Sequence, residues 1–218
     1  MASCSQFMSI HVTNHSDNTK MAGIQSIGTT SLCNPICQKR KEQCDGVCAH
    51  CYADSLCKMR KSLNVHLVEN YEKLTSRLLT PAEAAAVPVT SLIARIESFG
   101  DVANVTQARN YLRIIRAHKW IQFGIWSKNW GIWLAAFKKE GKPKNCTYVH
   151  SSMHLNAVDG VHPFMQKYVD HVFTVWDKEL YPKVIGQNPA SECAGLSCAK
   201  CQKCYRKNGA YYINERLR

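Results

Sequence analysis

Cys44, Cys48 and Cys51 are the residues whose type and spacing point most directly to chemistry. They stand at C-x3-C-x2-C in the stretch Cys44-Asp45-Gly46-Val47-Cys48-Ala49-His50-Cys51. Three thiolates this close in sequence meet at one point only where the backbone wraps around it as a tight loop. Such a loop has too little apolar surface to be fixed by packing, and a metal centre supplies what packing does not. A cubane 4Fe–4S centre takes four ligands. Three cysteines therefore leave one iron open to coordinate a substrate or cofactor. Cys33, Cys37 and Cys57 flank the loop. Any of them supplies a fourth ligand in the alternative, closed arrangement, and the Cys33/Cys37 pair alternatively suits a separate zinc site. His50 is read as a solvent-facing or packed histidine.

A second group follows near the other end: Cys193, Cys198, Cys201 and Cys204. Its spacing, C-x4-C-x2-C-x2-C, overlaps both the plant-type and the bacterial ferredoxin runs. Four thiolates within a dozen residues can saturate a cluster by themselves. Zinc sites more often draw two ligands from each of two separate knuckles, so a fully ligated 4Fe–4S cluster is favoured and zinc is the alternative. Ten of the twelve cysteines fall into these two groups, with Cys4 and Cys146 apart. Bunching of this kind suits metal binding better than a disulfide scaffold.

The 218-residue chain carries 28 Lys plus Arg against 16 Asp plus Glu, a net charge of +12. That surplus suits nucleic acid or another polyanion. The basic residues are scattered, and ordinary solubility accounts for them equally well. No apolar run reaches the length of a membrane span, and the first residues lack a secretory pattern. A cytoplasmic protein is expected. No glycine-rich phosphate loop, G-x-S-x-G elbow or H-E-x-x-H helix is present.

Elements must bring these groups together. Residues 21–27, 90–97, 121–126, 147–150 and 172–176 read as strands, and 8–12 as a short further one. Helical patterns lie between: a long one over 52–79 with Leu56, Met59, Leu63, Leu67, Tyr71, Leu74 and Leu78 on one face, then 82–87, 106–118 and 130–139. Residues 32–51 read as a cysteine-rich loop whose Lys39-Arg40-Lys41 run faces solvent. Alternating strands and helices are the sequence form of βαβ units and a parallel sheet. The carboxyl ends of such strands carry active sites. Here those ends bear Gly100-Asp101, Lys128 and Ser151. His150 and His154 lie near one such tip. The tryptophans are expected mostly in the core. The basic, aromatic tail (Tyr205, Tyr211 and Tyr212 among Lys203, Arg206, Lys207, Arg216 and Arg218) either packs along the domain or stacks on single-stranded bases.

A C-x3-C-x2-C loop after the first strand, leading into a helix, resembles the radical S-adenosylmethionine superfamily. The resemblance implies that three cysteines hold a 4Fe–4S cluster whose fourth iron chelates S-adenosylmethionine. It also implies that the next strand tip, here Phe99-Gly100-Asp101, contacts that cofactor's amino group. A second resemblance, covering about residues 21–205, is to the phage and plasmid proteins called gene product 88. It rests on Cys51-Tyr52-Ala53, on the strand ending Phe99-Gly100-Asp101, on Trp126-Ser127-Lys128 and on the terminal cysteines. That resemblance implies an iron–sulfur, radical-S-adenosylmethionine-like fold and supplies no reaction.

The expectation is an α/β chain: a partial (β/α) barrel of about five to six parallel strands over residues 1–190, then a cysteine-rich extension over 191–218. Cys44, Cys48 and Cys51 are expected to hold an open cluster, with Gly100 and Asp101 at the cofactor and Cys193, Cys198, Cys201 and Cys204 around an auxiliary cluster. A catalytic protein of this kind needs an electron donor such as flavodoxin or ferredoxin. The alternative is a zinc- or cluster-stabilised nucleic-acid-binding protein without catalysis.

Overall fold

Strands here are short and rich in β-branched and aromatic residues, and the longer helices bury one apolar face. The computed structural model describes residues 9–43, 45–193, 195 and 197–217. Their order is β1 (Thr13–Asn14), β2 (Gln25–Ile27), α1 (Pro35–Lys41), α2 (Tyr52–Met59), α3 (Lys61–Ser76), α4 (Pro81–Ala85), β3 (Ile93–Ile96) and α5 (Val105–Ala117). Then come β4 (Gln122–Ser127), α6 (Trp130–Glu140), β5 (Cys146–Ser151), β6 (His171–Trp176), α7 (Tyr181–Gln187), α8 (Cys198–Cys201) and β7 (Tyr212–Arg216).

The seven strands form one open sheet in chain order, with β1 and β7 at its edges. Strands β2 to β7 are all parallel, and β1 runs antiparallel to β2. The chain is therefore mixed α/β with a mostly parallel sheet that is not closed into a barrel. A parallel sheet wound in simple sequence, with right-handed crossovers, puts its connecting helices on one face. That face holds the main core, where Leu74, Ala84, Tyr111, Ile115, Trp133 and Phe137 pack against Ile27, Ile96, Phe123 and Ile125.

Side chains alternate along a strand, so Gly124 and Trp126 of β4 face the other way. There Trp126 joins Ile24, Val149 and Tyr205 in a second cluster, with Cys198, Ala199 and Cys204 packed against it. The cysteine-rich segment before β7 thus covers the inner face of the sheet. A Cβ on Gly124 would lie 2.7 Å from the Tyr205 ring and 2.5 Å from that of Trp126. The glycine is what lets that segment close on the sheet. Residues 212–216, read from sequence as part of a basic tail, form β7 beside β6.

Two local differences from expectation have clear causes. The stretch 32–51 is not all loop, because α1 starts where the Asn34 side chain accepts hydrogen bonds from the amides of Ile36 and Cys37, with Pro35 at the first turn. Lys39, Arg40 and Lys41 close its last turn, where the helix dipole favours cations. The helix expected over 52–79 is broken at Arg60, whose φ of −100° and ψ of 77° are not helical. The break frees α2 to dock Ala53 and Cys57 with Leu67 and Phe99. The short strand over 8–12 falls instead at Thr13–Asn14, and Met8 lies outside the described residues.

Candidate functional site

The carboxyl ends of β3, β4 and β5 meet the first cysteine loop. The loop is held there by Val47, whose amide donates to the Met153 carbonyl at 2.8 Å, and by a bridge between Gly46 and His154. Cys48 lies within a single 3₁₀ turn, Val47–His50, and Cys51 closes that turn; Cys44 lies outside the described residues. Burial pushes the Cys48 thiol up, Lys128 and Arg40 pull it down, and neighbouring Cys51 adds to the rise. Cys37 is pushed up by burial and then by Asp101, Glu97, Cys48 and Cys51. Cys37 thus shares the electrostatic surroundings of the loop thiols. Cys33 is exposed, and Cys57 lies on the buried face of α2. Arg40, expected in solvent, points inward to Asp101 at 3.7 Å, and Lys41 pairs with Asp54 at 2.8 Å.

Asp101 is 7% exposed and its carboxylate is fully engaged. Oδ1 accepts from Ser127 Oγ at 2.5 Å and from the Val102 amide at 2.8 Å; Oδ2 accepts from the Lys128 amide at 2.9 Å. It ties the tip of β3 to the tip of β4. Gly100 fits because a Cβ there would lie 2.7 Å from the Thr29 carbonyl. The Lys128 ammonium donates to Ser151 Oγ at 3.0 Å, joining the tips of β4 and β5. His150 is 4% exposed, and among the described residues neither ring nitrogen has a hydrogen-bond partner. Burial, the largest influence, lowers its basicity. His154 is instead an exposed partner of Asp159, at 2.7 Å.

Sequence reasoning passed over Glu97, a second buried carboxylate at this edge. It follows β3 with a φ of +59°, a conformation that non-glycine residues seldom adopt. Thr29 Oγ1, Gln107 Nε2 and Tyr111 Oη donate to Oε1 at 3.0, 2.7 and 2.6 Å, and the Thr29 amide donates to Oε2 at 3.1 Å. Burial nevertheless pushes its carboxyl up to about 7. The signal available in the sequence was an acid closing the mostly apolar strand Leu92-Ile93-Ala94-Arg95-Ile96-Glu97.

The second cysteine group gathers on the inner face. Cys204 is pushed up by burial and further by Cys193, Cys198 and Cys201, so the four thiols lie within electrostatic reach of one another. Two cations face them. Lys20 Nζ donates to Cys193 Sγ at 2.9 Å and to Glu215 at 2.7 Å. The Arg95 guanidinium sits over the Trp126 ring at 4.3 Å, within the influence of Cys198 and Cys204. Backbone ties fix the segment: the Cys198 amide donates to the Lys20 carbonyl at 2.7 Å, and Thr147 Oγ1 to the Cys204 carbonyl at 2.6 Å.

Among the described residues no three His, Cys, Asp or Glu side chains are drawn together closely enough to form a metal-ligand set. Both groups nevertheless have the donor chemistry for one: several thiols with cations alongside, of which Cys37, Cys48, Cys198 and Cys204 are pushed up by burial and further by neighbouring cysteines. A bound metal would replace the protons that such thiols otherwise keep. Among the described residues no helix is long and apolar enough to cross a membrane.

Comparison with curated proteins and with solved structures returned no match. The model of the family described as gene product 88 matches residues 12–210, which include both cysteine groups and every strand tip discussed above. The chain belongs to the gene product 88 family.

Proposed function

We propose that the protein is an iron–sulfur protein with radical-S-adenosylmethionine-like chemistry at the carboxyl edge of its sheet. The observation that carries this reading is the meeting of Cys48 and Cys51 with Arg40, Lys128 and Asp101 at the tips of β3, β4 and β5. In a parallel α/β sheet that edge is where ligands bind. Cys44, Cys48 and Cys51 would hold the first 4Fe–4S group, and Cys193, Cys198, Cys201 and Cys204 the second. The first, with one open iron, would supply one-electron chemistry on S-adenosylmethionine, fed by a flavodoxin or ferredoxin.

This chain's own side chains would do the rest. Gly100 and Asp101 would line the cofactor, Asp101 by holding the Ser127–Lys128 tip in place. Lys128 and Arg40 would offset the negative charge of the thiolates and favour anionic groups of a ligand. His150, neutral and unpartnered, would offer one donor and one acceptor nitrogen to whatever binds at the tips. On the inner face, Lys20 and Arg95 would balance the charge of four metal-bound thiolates. Anaerobic purification with iron, sulfide and zinc counted tests the reading. Iron and sulfide in about equal amounts, at about four to eight per chain, are expected; zinc alone, or no metal, rejects it.

A further inference from the structure

The opposite edge of the sheet, where the parallel strands begin, has a different character. A groove of about 410 Å³ opens there, lined in part by Gln122, Lys144, Gln202, Arg206, Lys207 and Asn208. Three of these are cations, three are amides, and no Asp or Glu is among the lining residues. Lys144, Arg206 and Lys207 are exposed, and among the described residues none is paired with a carboxylate. Arg206 is steadied by a 3.1 Å hydrogen bond to Gln202 Oε1. An unpaired row of three cations on a chain of net charge +12 attracts phosphates.

Beside the groove stands an aromatic ring that the fold leaves uncovered. Trp120, expected in the core, is 93% exposed in the turn two residues before Gln122. Leu92, 79% exposed, immediately precedes the neighbouring strand β3, and its carbonyl accepts from the Gln122 amide at 3.0 Å. Burying an indole is worth several kcal/mol to a fold, so a tryptophan left almost wholly in water beside a basic groove offers its face to a partner. An exposed ring next to phosphate-binding cations suits unpaired bases, whose faces are free to stack; a duplex hides them.

We propose that this edge binds single-stranded nucleic acid, with Lys144, Arg206 and Lys207 on successive phosphates and Trp120 stacked on a base. The inference is independent of the metal chemistry at the other edge. Three phosphate contacts to a single strand give a salt slope of about −2, a loss of about 20-fold between 50 and 200 mM salt.

The test is fluorescence anisotropy with labelled oligo(dT), oligo(U) and a duplex, each roughly 20 nucleotides long. Wild type is expected to bind both single strands more tightly than the duplex; a preference between them separates DNA from RNA as the source. Combined Lys144→Gln, Arg206→Gln and Lys207→Gln should flatten the salt slope by about 2. Trp120→Ala should weaken binding about tenfold with little change in slope. These side chains are exposed, so unchanged thermal unfolding checks that the variants fold. Cys48→Ser should leave binding intact, separating this inference from the metal reading. No binding at 50 mM salt, binding untouched by both sets of substitutions, or equal affinity for the duplex would overturn it.

Discussion

Lys20 Nζ lies 2.9 Å from Cys193 Sγ, a contact made across 173 positions of sequence. It joins the turn before β2 to the cysteine segment before β7, and Glu215 shares the same ammonium at 2.7 Å. A hydrogen bond to a charged group contributes about 1.5–3 kcal/mol. Lys20→Met should therefore lower metal retention by the C-terminal thiols about tenfold or more, read as the chelator concentration that removes half the metal. Unchanged retention would mean that Lys20 does not serve these thiols.

Asp101 is argued to hold two strand tips together. Asp101→Ala leaves Ser127 Oγ and the amides of Val102 and Lys128 without their acceptor. Buried donors stripped of a partner are destabilising, here by about 3 kcal/mol, measured as a shift in urea midpoint. A loss below about 0.5 kcal/mol would show that the tips are held by other contacts.

One buried and one half-buried group give opposing pH dependences. Glu97 moves from 4.5 to about 7 through burial, against the pull of its four donors. Between those values the folded state keeps a proton that the unfolded chain has lost. Stability from this group is thus greatest below about pH 4.5 and falls by up to about 3 kcal/mol as pH rises to about 7. His15 moves the other way, from 6.5 to about 4, through burial and then the nearby Arg95 and Arg60. The unfolded chain takes up a proton that the folded imidazole refuses, so stability rises from about pH 4 to 6.5. The two slopes offset each other where they overlap. Glu97→Gln should expose the rising slope and His15→Gln the falling one, in urea midpoints across this range. Parallel profiles for wild type and both variants would contradict the assignment.

Much of this architecture was legible beforehand. The alternation of strand and helix patterns gave the parallel sheet, and β3 to β6 fall close to their expected bounds because each is a distinct apolar run ended by glycine or polar residues. The tip residues Gly100, Asp101, Lys128 and Ser151 were legible for the same reason. Helix α1 was not, because the periodicity there is weak and the start signal, Asn34-Pro35, was passed over among the cysteines. Strand β7 was hidden by composition: Tyr212, Asn214, Glu215 and Arg216 look like a tail until β6 offers them a partner edge. Glu97 was passed over and Trp120 was expected in the core, because exposure is set by tertiary neighbours. A strand-end acid was drawn inward by Tyr111 and Gln107, and a tryptophan in an apolar run was left in a turn.

The closure of the inner face depends on Gly124. Gly124→Ala forces a Cβ against the rings of Trp126 and Tyr205. Overpacking of this kind is destabilising by about 1–3 kcal/mol, and its consequence should be local. Thermal unfolding should shift down, and limited proteolysis should cut faster within residues 193–211. Wild-type cleavage there would show that the segment does not rely on this contact.

The most direct test of the metal reading is a count of iron and acid-labile sulfide in anaerobically prepared protein, made on wild type and on a combined Cys48→Ser, Cys51→Ser variant. Wild type is expected to hold about eight irons with matching sulfide, and the variant about four, retained by the C-terminal thiols. Equal iron in the two proteins, or zinc in place of iron in both, would contradict the assignment of an open cluster to the Cys44–Cys48–Cys51 loop.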